Sequence, residues 1–303
     1  MSEDKPRVGY AGVGLMGHGA AKNILEAGYP LTILGHRNRA PVDDLVARGA
    51  TEAKTGAELG AASDVVFFCM PTALNVEAAL FGPDGVAETL RPGAMVVDST
   101  TADPNLTRSI AARLGERGVR MIDAPLGRSP NEAEAGTLSS YVGGAPEDVE
   151  EVRPILEAYS DTIVYTGPLG TGTTCKLVNN FISIGTSALI SEAVATAAKL
   201  GVDLDTFHKV VSAGGANSPM FQIIMSWVLR GDDTGLKGPV RIAAKDLRTY
   251  NRMAEEIGAT AFVAKACSET YNLAEARGNA ERYMPVMPGL IAELSNFKIR
   301  DLD

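Results

Sequence analysis

Cysteine and histidine are scarce in this 303-residue chain, with three residues of each type. The cysteines stand far apart in the sequence, at Cys69, Cys175 and Cys267. Their odd number and wide spacing predict reduced thiols and a cytoplasmic protein. The histidines lie apart, at His18, His36 and His208. Since no metal-ligand spacing connects them, we predict no metal site.

Positive charge is also in short supply, because 28 Lys and Arg face 37 Asp and Glu and the formal net charge is −9. That balance argues against a nucleic-acid partner. Residues 1–6 are polar and acidic, so we expect no signal peptide. No apolar run approaches the roughly 20 residues of a membrane span, so we expect no membrane partner. With 45% hydrophobic and 21% charged residues, the composition is typical of a globular protein.

Glycine is abundant, and its most informative use is near the N-terminus. A short apolar run ends in Gly12-Val13-Gly14-Leu15-Met16-Gly17, after which small and helix-forming residues follow. In this arrangement Gly12 permits a sharp turn, Gly14 leaves room for a pyrophosphate, and Gly17 lets the helix approach the strand closely. The free N–H groups of the helix then face the phosphates. The stretch Gly12, Gly14, Leu15, Met16 and Gly17 is therefore predicted to bind a dinucleotide.

Strand-like and helix-like segments alternate through the first half of the chain. Apolar strand-like runs occupy residues 31–34, 64–70, 94–98, 119–123, 138–144 and 163–165. Helical segments are predicted for residues 42–47 and 104–117. Buried apolar strands between helices indicate a parallel sheet covered on both faces. We therefore predict an N-terminal α/β Rossmann domain over residues 1–167.

The end of the second strand bears on the choice of cofactor. An NAD-specific site usually has an acidic residue there that holds the ribose 2′-hydroxyl. This chain instead has Gly35-His36-Arg37-Asn38-Arg39, without a carboxylate. Arg37, with or without Arg39, suits a 2′-phosphate, because a guanidinium offers a planar, bidentate fork. NADP is the favoured cofactor, with His36, Arg37 and Asn38 around it. NAD remains the alternative if these arginines only form a solvated loop.

Beyond Pro168 the pattern becomes entirely helical. Residues 173–200 read as one long apolar helix, most of whose surface we expect to be buried. Further helices are predicted at residues 204–212, 220–229, 245–257, 262–276 and 286–294. Residues 168–303 are thus predicted to form an all-α substrate and dimerisation domain that the long helix joins to the first domain. So much apolar helix also predicts a homodimer or homotetramer.

Lys176 and Asn180 lie four residues apart near the start of the long helix, on one face. A lysine on an apolar helix is costly to desolvate unless it binds a partner. Beside a carbonyl, its ammonium can polarise the oxygen and donate a proton as hydride arrives at the carbon. The alternatives are a surface lysine with a buried stem and a core amide that is already satisfied.

Four motifs follow one another along the chain and together resemble the β-hydroxyacid dehydrogenase family, relatives of 3-hydroxyisobutyrate dehydrogenase and tartronate semialdehyde reductase. They are the glycine motif of residues 12–17, Asp123-Ala124-Pro125, Gly170-x-Gly172-x-x-x-Lys176-x-x-x-Asn180, and Lys245-Asp246-Leu247. The resemblance spans about residue 7 to about residue 287. It implies hydride transfer between NAD(P) and a short 3-hydroxy acid or its semialdehyde.

The same resemblance implies residue roles. Lys176 is the catalytic acid or base, Asn180 is its substrate-binding neighbour, and Lys245 lies near the cofactor with Asp246 supporting it. The other positions that it implies to line the cofactor are Met70, Pro71, Ser99 and Thr100.

One motif departs from the family pattern. After Asp-Ala-Pro the family usually has Val-Ser-Gly-Gly, whereas this chain has Leu126-Gly127-Arg128-Ser129-Pro130-Asn131. Gly-Arg-x-x-Asn is similar to the sulfolactaldehyde reductases of this family, which implies that Arg128 binds the anionic group of the substrate. The alternative is an arginine paired with Glu132 or Glu134 on a loop. The implied substrate-binding residues are Gly127, Arg128, Ser129, Asn131, Lys176 and Asn180.

Three further interpretations concern residues outside these motifs. Phe221, Met225 and Trp227 have helical spacing and are read as core or interface. Ser218 is either an N-cap or a substrate contact from the glycine-rich loop before it. His18 is expected to cap its helix or to be exposed.

Taken together, the sequence predicts a dehydrogenase or reductase of a small anionic 3-hydroxy acid or its semialdehyde. Imine reduction on the same architecture is an alternative that Lys176 argues against, since those enzymes usually have an acid or tyrosine there. A 6-phosphogluconate dehydrogenase has a much longer helical domain. A non-catalytic dinucleotide-binding scaffold is the other alternative, and loss of the lysine would be its mark.

Overall fold

The computed structural model describes residues 5–300 and divides them into two compact units. The first unit ends at Lys176 and the second begins at Leu177. This division lies inside the long helix α8 (Thr171–Lys199), whereas the sequence-based boundary after residue 167 comes just before it. The predicted combination of a Rossmann-like sheet domain, a long helix and a helical domain is confirmed.

The first unit contains a nine-stranded sheet. Its strands are β1 (Val8–Ala11), β2 (Leu31–Leu34), β3 (Thr51–Ala53), β4 (Val65–Phe68), β5 (Met95–Asp98), β6 (Arg120–Asp123), β7 (Leu126–Gly127), β8 (Leu138–Gly143) and β9 (Ser160–Gly167). The spatial order is β3-β2-β1-β4-β5-β6-β8-β7, and β9 pairs with β8. Strands β1 to β6 are mutually parallel, so their carboxyl ends meet at one edge. Strand β8 runs antiparallel to β6 and β7 and parallel to β9.

Helices cover both faces of this sheet. They are α1 (Gly17–Glu26), α2 (Arg39–Ala47), α3 (Gly56–Ala61), α4 (Ala73–Phe81), α5 (Pro104–Gly115), α6 (Pro130–Ala135) and α7 (Pro146–Leu156). Alternation along β4 assigns the two faces, because Phe67 packs into the core with α1, α2 and α7, while Phe68 packs into the core with α3, α4 and α5. The short strands β3 and β7 and the helices α3, α4, α6 and α7 were not predicted from the sequence.

The second unit is helical. After α8 it contains α9 (Leu204–Ser212), α10 (Pro219–Arg230), α11 (Val240–Glu256), α12 (Phe262–Ala274) and α13 (Met287–Leu294). Its core includes Phe221, Met225 and Trp227, as their helical spacing predicts. Ser218 caps α10, since its hydroxyl accepts a hydrogen bond from the Phe221 amide at 3.1 Å. The N-cap interpretation of Ser218 is therefore confirmed.

Helix α8 corrects two expectations. Within residues 5–300 it is the one helix long and apolar enough to cross a membrane, contrary to the first expectation. Its mean hydropathy over 18 residues is high even though scattered polar side chains interrupt the apolar sequence. Only 39% of that window is buried, although we expected most of the helix surface to be covered. Core helices of water-soluble proteins can have the same length and composition, so this one helix is only weak evidence for a membrane span.

Candidate functional site

The glycine motif forms the turn between β1 and α1. Gly12 has φ +100°, a left-handed conformation that disfavours a side chain. A Cβ on Gly17 would collide with the Gly12 carbonyl oxygen, so the first turn of α1 packs directly on the end of β1. A Cβ on Gly14 would meet nothing within 4 Å, and Leu15 beside it is exposed. Open space in front of a helix N-terminus fits a pyrophosphate.

An open cleft of about 470 Å³ lies where β2 and β3 end. It is lined by Gly35, His36, Arg37, Arg39, Glu52 and Lys54. The side chains of Arg37 and Lys54 form no hydrogen bond or salt bridge with the part of the chain that the structure describes. Two cations beside the adenosine end of a dinucleotide fold suit a phosphate, although Lys54 also interacts electrostatically with the Glu52 carboxylate of the same cleft.

Arg39, unlike Arg37, forms ion pairs with carboxylates of the protein. Its guanidinium binds both carboxylate oxygens of Glu52, at 2.6 and 2.9 Å, and also Asp43 at 2.8 Å. Arg39 is therefore neutralised by two carboxylates of the protein. Lys54 was missed in the sequence because β3, which ends one residue before it, is too short to show an apolar pattern.

The ends of β4 and β5 are joined by Thr100. Its hydroxyl accepts a hydrogen bond from the Met70 amide at 3.0 Å, and its own amide donates to Asp98 Oδ1 at 2.9 Å. Asp98 is completely buried, and this burial raises its pKa to about 7. These bonds connect the loop after β4, which contains Met70 and Pro71, to the loop after β5, which contains Thr100. Both loops lie at the carboxyl edge of the sheet, and β4 is the neighbour of β1, which ends in the glycine turn.

Lys176 lies in the second turn of α8, and only 9% of its surface is exposed. The helix begins at the same sheet edge, because Asp123 at the end of β6 accepts hydrogen bonds from the amides of Gly170 and Thr173. The glycine turn follows β1 and Lys176 follows this contact with β6, so one edge of one parallel sheet positions both. A surface lysine is thus the poorer description of Lys176.

Arg128 follows β7 with φ +73°, which is unusual for a residue with a side chain. Its guanidinium donates to Asp161 Oδ2 at 2.8 Å, to the Thr137 carbonyl and to Thr162 Oγ1 at 3.3 Å. Glu132 and Glu134 were the alternative partners expected from the sequence, but Arg128 pairs with Asp161. The ion pair raises the pKa of Arg128 and lowers that of Asp161.

The residues that follow Arg128 form the N-terminus of helix α6. The Ser129 hydroxyl accepts from the Asn131 amide, while Glu132 accepts from the Ser129 amide at 3.0 Å, which forms a capping box for α6. The Asn131 side chain is exposed. Gly127 is required by close packing, since a Cβ there would lie 2.8 Å from the Tyr141 hydroxyl. Ser129 is therefore already engaged in capping.

His18 connects the start of α1 to its neighbours. Its Nε2 lies 2.9 Å from Asp44 and its Nδ1 lies 2.6 Å from Glu134 of α6. The expectation of a capping or exposed side chain was wrong, because α2 and α6 approach α1 from positions far away in the sequence. These contacts hold the helix that follows Arg128 against the helix of the glycine turn.

In the second unit, Asn180, Lys245 and Asp246 lie together. Asn180 donates from Nδ2 to Asp246 Oδ2 at 2.6 Å, and Lys245 Nζ lies 2.9 Å from Asp246 Oδ1. Asp246 is 4% exposed; the Lys245 ammonium balances its charge, and the neutral Asn180 amide donates a hydrogen bond to it. The Asp246 carboxylate thereby orients the Asn180 amide and holds the Lys245 ammonium.

Both halves of the chain match family models. Residues 7–167 match the NAD-binding domain of 6-phosphogluconate dehydrogenase, and residues 170–286 match the NAD-binding domain of NADP-dependent 3-hydroxyisobutyrate dehydrogenase. The chain belongs to the β-hydroxyacid dehydrogenase family. Since residues 7–167 match an NAD-binding domain and a solved neighbour holds NADP+, the cofactor is NADP or NAD.

Individual relatives of this β-hydroxyacid dehydrogenase extend over nearly its whole length. The chain is 32% identical to the 3-sulfolactaldehyde reductase of Escherichia coli K12, covering 91% of this chain and 92% of the relative. It is 29% identical to the 2-hydroxy-3-oxopropionate reductase of the same strain, over 97% and 99%. A crystal structure of 3-hydroxyisobutyrate dehydrogenase from Salmonella typhimurium has a TM-score of 0.82 at 27% identity, over 94% and 99%. An imine reductase-like enzyme and a non-catalytic scaffold are not favoured by these relatives.

Proposed function

We propose that this protein transfers hydride between NADP(H) and a small anionic 3-hydroxy acid or its semialdehyde, with Lys176 as proton donor and acceptor. The observation that carries the proposal is a lysine, 9% exposed, on the helix that starts at the same sheet edge as the glycine turn. The cofactor, when bound, supplies or accepts the hydride.

Lys176 and Asn180 are proposed to act on the reacting oxygen of the substrate. Lys176 donates a proton to the carbonyl oxygen during reduction and removes it from the hydroxyl during oxidation. Its low exposure excludes water, which strengthens the electrostatic attraction between its ammonium and the oxygen. Asn180, oriented by Asp246, is proposed to donate to or accept from the same substrate oxygen.

Arg128 is proposed to bind the anionic group of the substrate. The guanidinium now pairs with Asp161 in a contact that is 38% exposed on the arginine side. Solvent screens exposed ion pairs and makes them weak, so the exchange of Asp161 for a substrate anion costs little. A guanidinium fork accommodates either a carboxylate or a three-oxygen sulfonate, and Gly127, Ser129 and Asn131 are proposed to shape the site around it.

The wild-type enzyme tests this proposal directly. NADPH oxidation is measured with a panel of semialdehydes of the glyoxylate, tartronate, succinate and sulfolactaldehyde types. We expect turnover with at least one anionic member and none with uncharged aldehydes of the same length. Turnover with no member would contradict the proposal and would favour the scaffold alternative.

NADP preference is proposed from the cleft at the ends of β2 and β3. Replacing Arg37 or Lys54 by alanine is expected to raise the KM for NADPH about tenfold each, because each variant removes one cation from the 2′-phosphate. Steady-state kinetics with NADH in the same variants provide the control, since NADH lacks that phosphate. Equal losses for both cofactors would contradict this assignment.

A homodimer or homotetramer is proposed from the apolar surface of the second unit. Ile182 and Leu189 on α8, together with Phe262 on α12, are 61%, 72% and 82% exposed in the single chain. Light scattering is expected to give a mass of two or four times 31.7 kDa. A monomer at micromolar concentration would contradict the proposal.

A further inference from the structure

Asp123 is a buried carboxylate at the sheet edge where β1 ends in the glycine motif and α8, which carries Lys176, begins. It is the last residue of β6 and has 0% exposure. Its Oδ1 accepts a hydrogen bond from the Gly170 amide and its Oδ2 one from the Thr173 amide, both at 2.6 Å. Charge-assisted bonds of this length are among the stronger hydrogen bonds in proteins.

These two bonds replace the usual cap of a helix. The first amides of any helix lack partners within it, and a side chain just before the helix normally accepts from one of them. In α8 the residue at that place is Gly170, which has no side chain, and its carbonyl accepts the first helical bond, from Thr174. Asp123, 47 residues earlier in the chain, supplies the missing acceptors.

The surroundings leave room for this carboxylate and little else. A Cβ on Gly143 would lie 2.5 Å from Asp123 Oδ1, and a Cβ on Gly172 would lie 2.9 Å from Asp123 Oδ2. Both glycines therefore allow strand β8 and the first turn of α8 to close around the acid. Asp98, the register partner of Asp123 on β5, is the neighbouring buried carboxyl.

We propose that Asp123 is a positioning residue that fixes the first turn of α8. Through this turn it fixes the position and direction of the Lys176 side chain relative to the glycine motif of residues 12–17. The inference rests on the proposed role of Lys176. Thr173 precedes Lys176 by three residues, so both lie on the same side of the helix, one turn apart. A shift of the Thr173 amide therefore moves the Lys176 ammonium with it. The carboxylate also offsets the positive end of the helix dipole near that ammonium.

The test is Asp123→Asn, which keeps the size of the side chain but presents a donor to one of the two amides. We expect kcat to fall at least tenfold, while the KM and Kd for NADPH change less than threefold. Removal of the negative charge is also expected to move the alkaline limb of the kcat–pH profile to lower pH, since the Lys176 ammonium then loses its proton more readily. An unchanged limb would reduce Asp123 to a structural role and overturn the proposal.

Gly143→Ala provides a second route if the asparagine variant does not fold. Its methyl group would lie 2.5 Å from Asp123 Oδ1 and 2.9 Å from both the Gly172 nitrogen and the Pro168 carbonyl oxygen. It therefore displaces the carboxylate and the start of α8 without removing the charge, and we expect lower kcat with a smaller displacement of the pH limb. Asp148→Asn is the matched control, because Asp148 is a buried carboxylate of the same unit that accepts from Arg120 instead of α8. Wild-type kcat is expected for it. Unchanged kcat in a folded Gly143→Ala variant would overturn the proposal.

A double variant separates this inference from the proposed function. If Asp123 acts through Lys176, Asp123→Asn adds little to the loss already caused by Lys176→Ala. Additive losses would overturn the positioning role. Full activity of Lys176→Ala alone would instead contradict the proposed function.

Discussion

Replacing Lys176 by alanine is expected to lower kcat by about 10³-fold or more, while the Kd for NADPH changes less than threefold. The magnitude is that of general acid–base catalysis, since the variant removes the proton donor and leaves the glycine turn untouched. Steady-state kinetics and fluorescence titration of NADPH measure the two quantities. Lys176→Arg is expected to be nearly as inactive, because an arginine keeps the charge but does not release its proton.

The matched control for this prediction is Lys199→Ala. Lys199 lies on the same helix α8, where its ammonium donates to the Ser295 carbonyl at 3.0 Å, far along the chain from the proposed site. Its removal is expected to leave kcat unchanged. If Lys176→Ala kept more than about a tenth of wild-type kcat, the lysine would not be the proton donor.

Replacing Arg128 by alanine is expected to lower kcat/KM for the anionic substrate by about 10²-fold. Hydrogen bonds to a charged group contribute roughly 1.5–3 kcal/mol, and a bidentate contact has two of them. Most of the change should appear in KM, because the anion is bound in the ground state and in the transition state alike. Kinetics with a sulfonate and a carboxylate substrate of equal length would show which anion loses more.

Arg153→Ala is the control for Arg128, because Arg153 is an arginine of the same unit paired with Glu150 on α7. We expect no change in KM for that variant. Asp161→Asn complements the pair, since it releases Arg128 from its present partner and should leave KM unchanged or lower it. An unchanged KM in Arg128→Ala would show that the arginine serves only the ion pair with Asp161.

Features that depend on a few consecutive residues were predictable from the sequence. The strand, the glycine turn and the helix after it are encoded within residues 8–26, because each glycine answers a local steric need. The helices of the second unit were predicted within a few residues of their observed ends, except that α11 begins at Val240, five residues before the predicted start. The lack of a carboxylate after β2 was likewise evident from the sequence, and it indicated Arg37 as a candidate partner of the 2′-phosphate.

Ion pairs between residues far apart in the sequence could not be predicted from local patterns. Glu52 lies 13 residues from Arg39, which it neutralises, and Asp161 lies 33 residues from Arg128. In both cases the sequence showed an arginine, but only the strand order β3-β2 and the pairing of β9 with β8 decided which acid lies beside it. The cation Lys54 became visible for the same reason.

Spacing along a strand or helix is a local property, so the amino-acid sequence was enough to predict the fold class, the glycine turn, and the lysine and asparagine on α8. How these residues are held depends on tertiary packing. This packing brought Asp123 to the amides at the start of α8 and Asp246 to Asn180, across 47 and 66 residues. Such contacts depend on how the sheet and helices pack, since burying a carboxylate is favourable only where donors from other segments meet it.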